Sequence, residues 1–384
     1  MHCVTNIHED LYWLGGSDRQ LAKFENVFPI PRGVSYNAYL VLDEKTVLLD
    51  TVDKAVGERF FENLEFALAG RPLDYVVVNH MEPDHSSSIR ALRLLYPEMQ
   101  IVGNAKTLQM LDGYYGIHTL TREVKEGESI SLGQKNLSFY MAPMVHWPEV
   151  MVTYCPEHKV LFSADAFGKF GALDADEDWA CEARRYYFGI VGKYGGPVQT
   201  LLKKAAGLDI AVICPLHGPV LSENLGDYLN LYDIWSSYGV ESEGVCIAYT
   251  SVYGNTKKAV EYLAEQLRAD GCAKVAVNDL ARCDMAEAVE DAFRYGKLVL
   301  ATTTYNGSIF PFMRNFIDHL TERGYQKRTV AFIENGSWAP TAARNMAKMF
   351  ENSKDIEQVG TVTIRSAMTD ENKAQLDALA KELA

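Results

Sequence analysis

The chain has 384 residues, of which 48% are hydrophobic, and a formal net charge of −14. A chain of this length and apolar content is expected to form full hydrophobic cores in about two domains. The acidic balance opposes binding to nucleic acids and anionic membranes, because affinity for such surfaces comes mainly from Lys and Arg side chains that displace counterions. We therefore expect neither nucleic acid nor membrane among its partners.

The N-terminal stretch MHCVTNIHEDLYWLGG contains acidic residues and lacks the basic start and apolar core of a secretory signal. No apolar run approaches the roughly twenty residues needed to span a bilayer. The seven cysteines form no CxxC pair, which is typical of reduced thiols in a reducing compartment. These features predict a cytoplasmic location.

Metal-binding side chains alternate along the stretch NHMEPDHSSS, which contains His80, Glu82, Asp84 and His85. The preceding LDYVVV is rich in β-branched residues and predicts a buried strand, and a helix start is predicted at residues 86–88. The candidate ligands would therefore leave a strand at its end, on a rigid rim.

Three later candidates each end a short stretch with strand character. His146 follows LSFYMAPMV, Asp165 follows KVLFSA, and His217 follows DIAVICPL. A single histidine in such a context is more often an ordinary core or surface residue. Four strand ends that each carry ligands predict instead one convergent site, whose four imidazoles and three carboxylates suffice for two metal ions if Asp165 bridges them.

The spacing HxExDH, with isolated His, Asp and His downstream, resembles the metallo-β-lactamase superfamily, whose αββα sandwich presents metals along one edge of two packed sheets. The common hydrolytic pattern is HxHxDH, whereas Glu82 stands here at the position of the second histidine. A carboxylate oxygen in place of an imidazole shifts metal preference from zinc toward iron or manganese. Iron changes valence, whereas zinc does not.

A second type of site is predicted where EGVCIAYTSVYGNTKKAVEYLAEQL reads as strand, tight loop and amphipathic helix. The strand is predicted at Val245–Tyr249. The loop supplies the hydroxyls of Ser251 and Thr256, and Gly254 permits backbone amides to approach an anion at the helix N-terminus. Taken alone, the loop is equally well read as an ordinary N-cap turn.

Two further predicted strands, within residues 298–307 and 329–340, also end in small polar residues and an aromatic ring. In doubly wound sheets ligands bind at this edge, so the three loops suit a flat aromatic cofactor with a phosphate tail, FMN. The alternative reading makes Tyr305 and Trp338 core aromatics, but their polar neighbours favour exposed loops. The predicted cofactor-binding residues are Ser251, Tyr253, Gly254, Asn255, Thr256, Thr303, Thr304, Tyr305, Asn306, Gly307, Asn335, Gly336, Ser337 and Trp338.

Residues 244–384 resemble flavodoxin over their whole length, and no GxGxxG dinucleotide motif follows the first strand. A metallo-β-lactamase-like half joined directly to a flavodoxin-like half is the arrangement of the flavodiiron proteins, also called A-type flavoproteins. The resemblance covers almost the entire chain. It implies an α/β protein with an N-terminal αββα sandwich in residues 1–243 and a doubly wound parallel sheet in residues 244–384.

Carried over position by position, the resemblance implies a site of two iron ions. One iron would be held by His80, Glu82 and His146, the other by Asp84, His85 and His217, with Asp165 bridging. The stretches HWPEVM and EARRYYFGIVGKYGG also resemble family sequence and would bring Trp147 and Tyr194 near the metals. Tyr194 and Trp338 are the candidate catalytic residues.

The chain departs from the family pattern in its N-terminal segment. Some members carry a histidine there that reaches toward the irons, whereas LAKFENVFPIPRGVSYNAY contains none. His2 and His8 both precede this segment. The role that such a histidine would have in choosing between dioxygen and nitric oxide is therefore open for this chain.

The resemblance implies that FMN takes electrons from a separate donor, rubredoxin-like or a reduced flavin or deazaflavin, and passes them to the irons, which reduce dioxygen to water, nitric oxide to nitrous oxide, or both. The missing CxxC argues against a built-in rubredoxin. The resemblance also implies a head-to-tail homodimer, or a dimer of such dimers. A zinc hydrolase with an accessory flavodoxin module is the main alternative, and an electron carrier with a degenerate metal site is another.

Overall fold

The computed structural model describes residues 2–384 and divides into two compact units, one ending at Asp233 and the other beginning at Ile234. This division falls within a helix, Leu225–Ser236, ahead of the boundary predicted between residues 243 and 244. None of the helices in the described part of the chain is long and apolar enough to cross a membrane.

The N-terminal unit is built mainly of short strands. These are β1 (Thr5–His8), β2 (Leu11–Trp13), β3 (Gly16–Asp18), β4 (Lys23–Phe24), β5 (Phe28–Pro29), β6 (Val34–Tyr36), β7 (Tyr39–Leu42), β8 (Thr46–Leu49), β9 (Tyr75–Val77), β10 (Gln100–Gly103), β11 (Thr121–Glu123), β12 (Ser129–Ser131), β13 (Asn136–Met141), β14 (Met151–Cys155), β15 (Val160–Phe162) and β16 (Val212–Cys214). Its α-helices are α1 (Gly57–Leu68), α2 (Pro83–Ser86), α3 (Ile89–Leu95), α4 (Ala105–Tyr115), α5 (Trp179–Tyr186) and α6 (Gly195–Ala205), followed by α7 (Leu225–Ser236), whose last residues belong to the second unit. Short 3-10 turns at Lys54–Val56 and Gly192–Tyr194 and a π-helical turn at Tyr187–Val191 complete the unit.

Two sheets pack face to face in this unit. The first has the strand order β1-β2-β7-β8-β9-β10-β11 and the second the order β12-β13-β14-β15-β16. One cluster of buried apolar side chains joins them, with Val47, Val77 and Val102 from the first sheet and Phe139 and Phe162 from the second. Each such side chain stabilises the fold by roughly 1.5–3 kcal/mol through burial. This two-layer sheet core confirms the predicted sandwich.

The strand directions bring the candidate ligands to one edge. Strands β13 and β15 both pair antiparallel with β14, and β16 pairs parallel with β15, so the carboxyl ends of β13, β15 and β16 share an edge. Asn79, just after β9 of the other sheet, accepts a hydrogen bond from the Met151 amide at 3.0 Å and from the Thr153 hydroxyl at 2.7 Å. The ends of both sheets are thereby linked at the position of the predicted site.

The helix after β9 begins earlier than predicted. Helix α2 starts at Pro83, ahead of the predicted start at residues 86–88, and α3 follows with Ser88 as its N-cap residue. Proline favours the first helical position because its fixed φ suits the helix and its missing N–H has no partner there anyway. Asp84 and His85 consequently lie on a helical turn.

The C-terminal unit alternates strands and helices. Its strands are β17 (Ser242–Tyr249), β18 (Val275–Asp279), β19 (Tyr295–Tyr305), β20 (Ser308–Ile309), β21 (Arg328–Asn335) and β22 (Ile356–Ile364), and its helices are α8 (Asn255–Ala269), α9 (Met285–Arg294), α10 (Pro311–Glu322), α11 (Ala342–Met349) and α12 (Asp370–Leu383).

The parallel strands of this unit follow the order β18-β17-β19-β21-β22, which is the doubly wound order of flavodoxin-like folds. The alternation of apolar strands and amphipathic helices produces this parallel sheet, because each crossover helix covers one face of a sheet that is apolar on both faces. Buried residues such as Ile247, Val299 and Ile333 pack against Leu263 and Leu379 of the flanking helices. The predicted fold class is confirmed.

Helix α12 provides a test of local stability. The Thr369 hydroxyl accepts from the Asn372 amide at 3.3 Å, and the Asn372 side chain accepts from the Thr369 amide at 3.2 Å, which forms a reciprocal cap at the helix start. We expect Thr369→Ala to lower the free energy of unfolding of this unit by about 1 kcal/mol, as measured by urea denaturation. Thr369→Ser, which retains a hydroxyl, is the matched control, and equal losses in both variants would contradict the capping role.

Candidate metal centre and flavin site

The first group of candidate ligands gathers around the end of β9. The Nε2 atom of His80 lies 3.2 Å from Oε2 of Glu82 and 3.4 Å from Oδ2 of Asp165. The Nε2 atom of His146 lies 3.0 Å from the same Glu82 oxygen and 3.1 Å from the same Asp165 oxygen. One ligand atom from each of these four residues therefore lies within 4.8 Å of the others, close enough to hold one metal ion.

The second group lies on the other side of Asp165. The Nε2 atoms of His85 and His217 are 3.0 Å apart, and they lie 3.2 Å and 3.4 Å from Oδ2 of Asp84. Oδ1 of Asp165 lies 3.3 Å from Nε2 of His85. Because the two oxygens of Asp165 face different groups, this carboxylate has the geometry of a bridge between two metal ions.

The backbone around Asp165 is held in an uncommon conformation. Ala164 and Phe167 have positive φ values of 51° and 67°, a region that residues with a side chain seldom occupy. Such strain persists only where the surroundings enforce it, and it gathers at functional sites. Here it turns the chain sharply after β15 and directs the Asp165 carboxylate between the two groups of histidines.

The donor set fits two iron ions. Each group contains two imidazoles and one carboxylate of its own, the combination typical of non-haem iron sites with open positions. In the described part of the chain, both carboxylate oxygens of Asp84 and Oδ1 of Asp165 are buried without a hydrogen-bond partner. Buried polar atoms are rarely left unpaired in native proteins, and bound cations would satisfy these oxygens.

Protons and metal ions compete for these side chains. Burial alone would lower the pKa of His146, but hydrogen bonds to Asp165 and Glu82 outweigh it and raise that pKa to about 9. Burial would raise the pKa of Glu82, but His146 and His80 bring it well below its usual value. At neutral pH a metal ion therefore displaces a proton from His146, so metal affinity rises with pH.

Residues outside the ligand set orient the histidines. Oε1 of the buried Glu149 lies 2.8 Å from Nδ1 of His80 and accepts the Met81 amide at 2.9 Å. Nδ1 of His217 lies 2.8 Å from the carbonyl oxygen of Ser35. Both contacts leave Nε2 free to bind a metal, because a carbonyl or carboxylate at Nδ1 selects the tautomer with the proton there. The sequence analysis did not single out Glu149 or Ser35, although Glu149 lies in the stretch HWPEVM.

Aromatic rings surround the ligand histidines. The Trp147 ring centroid lies 5.3 Å from that of His80. The ring centroids of Phe24, Tyr36 and Tyr186 lie between 5.3 and 5.6 Å from the ring centroid of His217. Within residues 2–384, no ring contact joins Tyr194 to a ligand histidine. Tyr194 is half-buried and serves as the N-cap residue of α6, so its catalytic role remains a prediction.

Glu25 lies close to Glu82, and the sequence analysis did not predict this. It lies in the turn between β4 and β5, where Glu25 and Asn26 both have positive φ values of 49° and 59°. The residue is exposed, but partial desolvation of its carboxyl group and the negative charge of Glu82 raise its pKa to about 7. The N-terminal segment that lacks a histidine thus places a carboxyl group close to Glu82.

The second site is a cavity of about 510 Å³ in the C-terminal unit. It lies at the carboxyl ends of β17, β19, β21 and β22, the edge at which doubly wound sheets bind ligands. All of the predicted cofactor-binding residues except Gly254 line it, together with Val252, Ala339 and Ser366. Gly254 instead has a φ of 88° as the N-cap residue of α8, a conformation that glycine adopts without strain.

Unpaired hydroxyl groups make this cavity suitable for a polar ligand with a phosphate. In the described chain, the hydroxyls of Thr256 and Thr303 are buried and have no hydrogen-bond partner. Thr256 also lies in the first turn of α8, where backbone N–H groups and the helix dipole favour an anion. The exposed rings of Tyr253 (94%) and Trp338 (88%) on the cavity rim suit a flat aromatic group. FMN combines these features.

Several cavity residues have partners within the protein, and Thr304 and Ser366 are examples. The Thr304 hydroxyl accepts from the Thr341 and Ala342 amides at 2.9 and 3.2 Å and so braces the start of α11. The Ser366 hydroxyl donates to Ser337 at 2.8 Å, and its own backbone has a φ of 71°. Ser366 was missed because its loop, after β22, lacks the aromatic ring that marked the other loops.

Comparison with known proteins identifies the family. Residues 34–218 match the family described as ODP family beta lactamase, and residues 246–371 match the flavodoxin domain. A nitric oxide reductase from Moorella thermoacetica is 31% identical over 360 residues, which cover 91% of this chain and 90% of that protein. The chain therefore belongs to the flavodiiron protein family, which combines a flavodoxin domain with a diiron centre.

Solved structures agree with this assignment. Rubredoxin oxygen:oxidoreductase from Desulfovibrio gigas has a TM-score of 0.89 and 25% identity, and the match covers 99% of this chain and 98% of that chain. A variant of the flavodiiron protein from Thermotoga maritima has a TM-score of 0.90 and 26% identity, with 100% and 99% of the two chains covered. The predicted family resemblance is confirmed.

The orienting role of Glu149 leads to a prediction. Glu149→Leu removes the acceptor at Nδ1 of His80, so we expect iron affinity to fall by about 10- to 100-fold, as measured by competition with a chromophoric chelator. Glu149→Gln is the matched control, because its amide oxygen still accepts this hydrogen bond. Unchanged iron affinity in Glu149→Leu would show that the contact does not orient His80.

The unpaired hydroxyl of Thr256 leads to a prediction about FMN binding. Thr256→Val keeps the shape of the side chain but removes a hydrogen bond to a charged phosphate, so we expect the dissociation constant for FMN to rise about tenfold. Quenching of flavin fluorescence on titration of the flavin-free protein measures it. Thr321→Val is the control, because that hydroxyl bonds to the carbonyl of Ile317 within α10. An equal effect in both variants would speak against phosphate binding at Thr256.

Proposed function

We propose that this protein is an FMN-dependent diiron oxidoreductase that takes electrons from a separate carrier and reduces dioxygen to water, nitric oxide to nitrous oxide, or both. The observation that supports this most strongly is the pair of clusters, each with two histidines and a carboxylate, that share Asp165. The names of the relatives from Moorella thermoacetica and Desulfovibrio gigas point to the same two substrates.

We assign the diiron site to residues 1–243 and the FMN site to residues 244–384. His80, Glu82 and His146 would hold one iron, Asp84, His85 and His217 the other, and Asp165 both. In the flavin site, the loop from Ser251 to Thr256 would hold the phosphate, and the rings of Tyr305 and Trp338 would contact the isoalloxazine. Tyr194 and Trp338 stay candidate catalytic residues.

When bound, the flavin and the two irons supply stored electrons, four for dioxygen and two for each pair of nitric oxide molecules. The residues of the chain provide the setting for this chemistry. Three carboxylates nearly balance the four positive charges of two divalent cations, which keeps a buried pocket close to neutral. Phe24, Tyr36 and Trp147 surround the ligands with apolar rings that limit the entry of water.

We propose the electron donor only as a chemical class. In residues 2–384 the cysteines are all free and no CxxC is present, so these residues include no rubredoxin-type centre. A rubredoxin-like protein or a reduced flavin or deazaflavin would supply the electrons. The free cysteines and the acidic composition favour a cytoplasmic location.

A zinc hydrolase with an accessory flavin module is the alternative function. It is less well supported, because Glu82 replaces a nitrogen ligand with an oxygen ligand and so favours iron. Elemental analysis beside a visible spectrum separates the two. Two zinc ions per chain together with esterase or thioesterase activity would exclude the redox function.

Replacement of Asp165, the proposed bridging ligand, or of Glu82 tests the diiron assignment. Asp165→Ala removes an oxygen from both metal positions, and Glu82→His restores the hydrolase pattern at one of them. We expect both variants to retain FMN but to lose nearly all dioxygen and nitric oxide consumption with a saturating reduced donor, as measured with gas-sensitive electrodes. Wild-type rates in either variant would show that the diiron centre is not the site of reduction.

We propose further that the active form is a head-to-tail homodimer, or a dimer of such dimers, in which the flavin of one chain serves the irons of the other. Mixed subunits test this arrangement. Asp165→Ala and a flavin-free Thr256→Glu variant, each inactive alone, should regain part of the activity when they are unfolded and refolded together. Light scattering that shows an active monomer, or mixed dimers without activity, would contradict the proposal.

A further inference from the structure

A buried ion pair lies next to the loops that carry two of the candidate ligands. The Nζ atom of Lys169 lies 2.6 Å from Oε1 of Glu177, and Nη1 of Arg32 lies 2.7 Å from Oε2 of the same carboxylate. The side chains of Lys169 and Glu177 are only 7% and 2% exposed, whereas that of Arg32 is largely exposed. Lys169 follows the candidate bridge Asp165 by four residues. The pair belongs neither to the ligand set nor to the contacts that orient the ligand histidines.

Two glycines leave room for this ion pair. A Cβ atom at Gly171 would overlap Oε1 of Glu177, and one at Gly218 would lie 2.7 Å from Cγ of Lys169. Gly171 and Gly218 have positive φ values of 101° and 81°, which glycine adopts without strain. Because Gly218 directly follows His217, the Lys169 side chain packs against the backbone beside this candidate ligand.

The chain between the two members of the pair is also bound to the segment that orients His217. The Gly171 amide donates to the carbonyl oxygen of Gly33 at 3.0 Å. Two residues further along, the carbonyl oxygen of Ser35 lies 2.8 Å from Nδ1 of His217. Arg32 belongs to the same segment. The buried carboxylate therefore connects the chain after the candidate bridge with the segment that orients the His217 ring.

A gain in stability does not account for this ion pair. Removal of two charges from water is costly, and apolar side chains of similar volume often stabilise a protein equally well or better. An ion pair differs from apolar contacts because its charge-assisted hydrogen bond restricts both the distance and the direction between two atoms. The pair of Lys169 and Glu177 is thus suited to hold the surrounding backbone in one conformation.

We propose that Lys169 and Glu177 are positioning residues for the iron on the side of His217. Their ion pair fixes the turn that follows Asp165 against the backbone of Gly218. The bridging carboxylate and the His217 ring thereby keep one position relative to each other. The pair acts through these two ligands rather than on the reacting atoms. The inference rests on the proposed diiron function.

Replacement of the whole pair by apolar side chains tests the proposal. The double variant Lys169→Met, Glu177→Leu leaves neither member of the pair as an unpaired buried charge, so we expect the FMN-loaded, iron-free protein to unfold at about the wild-type temperature. Its affinity for the second iron per chain should fall about tenfold, as measured by competition with a chromophoric chelator. The electron paramagnetic resonance spectrum of the half-reduced diiron protein should also change, because magnetic coupling between two irons depends on the bridging geometry.

Lys169→Met alone provides a second variant. It leaves the Glu177 carboxylate paired with Arg32, so we expect it to fold even if the double variant does not. The same loss of iron affinity and the same spectral change are expected. Wild-type iron affinity together with a wild-type spectrum in either folded variant would overturn the positioning role.

The double variant Arg19→Gln, Asp174→Asn is the matched control. It removes an ion pair from the same part of the chain, but both of its side chains are exposed, and exposed pairs contribute little. Unfolding temperature, iron affinity and spectrum should all remain those of the wild type, and a loss of iron affinity equal to that of the buried-pair variants would contradict the proposal. A wild-type protein that fails to bind two irons would overturn the proposed function itself, and the positioning role with it.

Discussion

The structure depends on one electrostatic constraint, the burial of three carboxylates and four imidazoles within a few ångströms of one another. Such a cluster is stable only if its charges are balanced, because unpaired charge is costly in a protein interior. Protons balance it in part when they bind the histidines, as the raised pKa of His146 indicates. Two divalent cations balance it almost fully. Asp165 is central because its two oxygens serve the two halves of the cluster.

The sandwich is what allows this cluster to form. Strands from both sheets end at the same edge, and Asn79 of one sheet bonds to Met151 and Thr153 of the other. The Asp50 carboxylate in turn accepts the Asn79 amide at 2.7 Å and the His80 amide at 3.2 Å. Ligands that belong to distant parts of the chain are therefore supported by regular strands and by hydrogen bonds that hold the backbone in place.

The cavity of the C-terminal unit is formed in a different way. Parallel strands in the order β18-β17-β19-β21-β22 end at one edge, and the loops after four of them form the cavity wall. The phosphate end depends on the start of α8, and the aromatic end on exposed rings such as Trp338. Thr304 and Ser366 contribute largely by bracing these loops. The two units thus provide the two kinds of site that a flavin-linked diiron enzyme requires.

From the sequence alone, the resemblance to known families predicted the fold class, the family and the two kinds of cofactor. The candidate ligands could be named because strand patterns and ligand spacing are local. Glu82 already distinguished the donor set from that of a zinc hydrolase. The start of α2 at Pro83 was missed, although proline is a local signal.

Only the tertiary structure decided which atoms meet. The contact between His217 and Ser35 joins residues 182 positions apart, and that between His80 and Glu149 joins residues 69 positions apart. Glu25 and Tyr186 come close to candidate ligands in the same way, from elements with no ligand of their own. No local periodicity encodes such pairs, because the packing of two sheets and the turns between their strands brings them together.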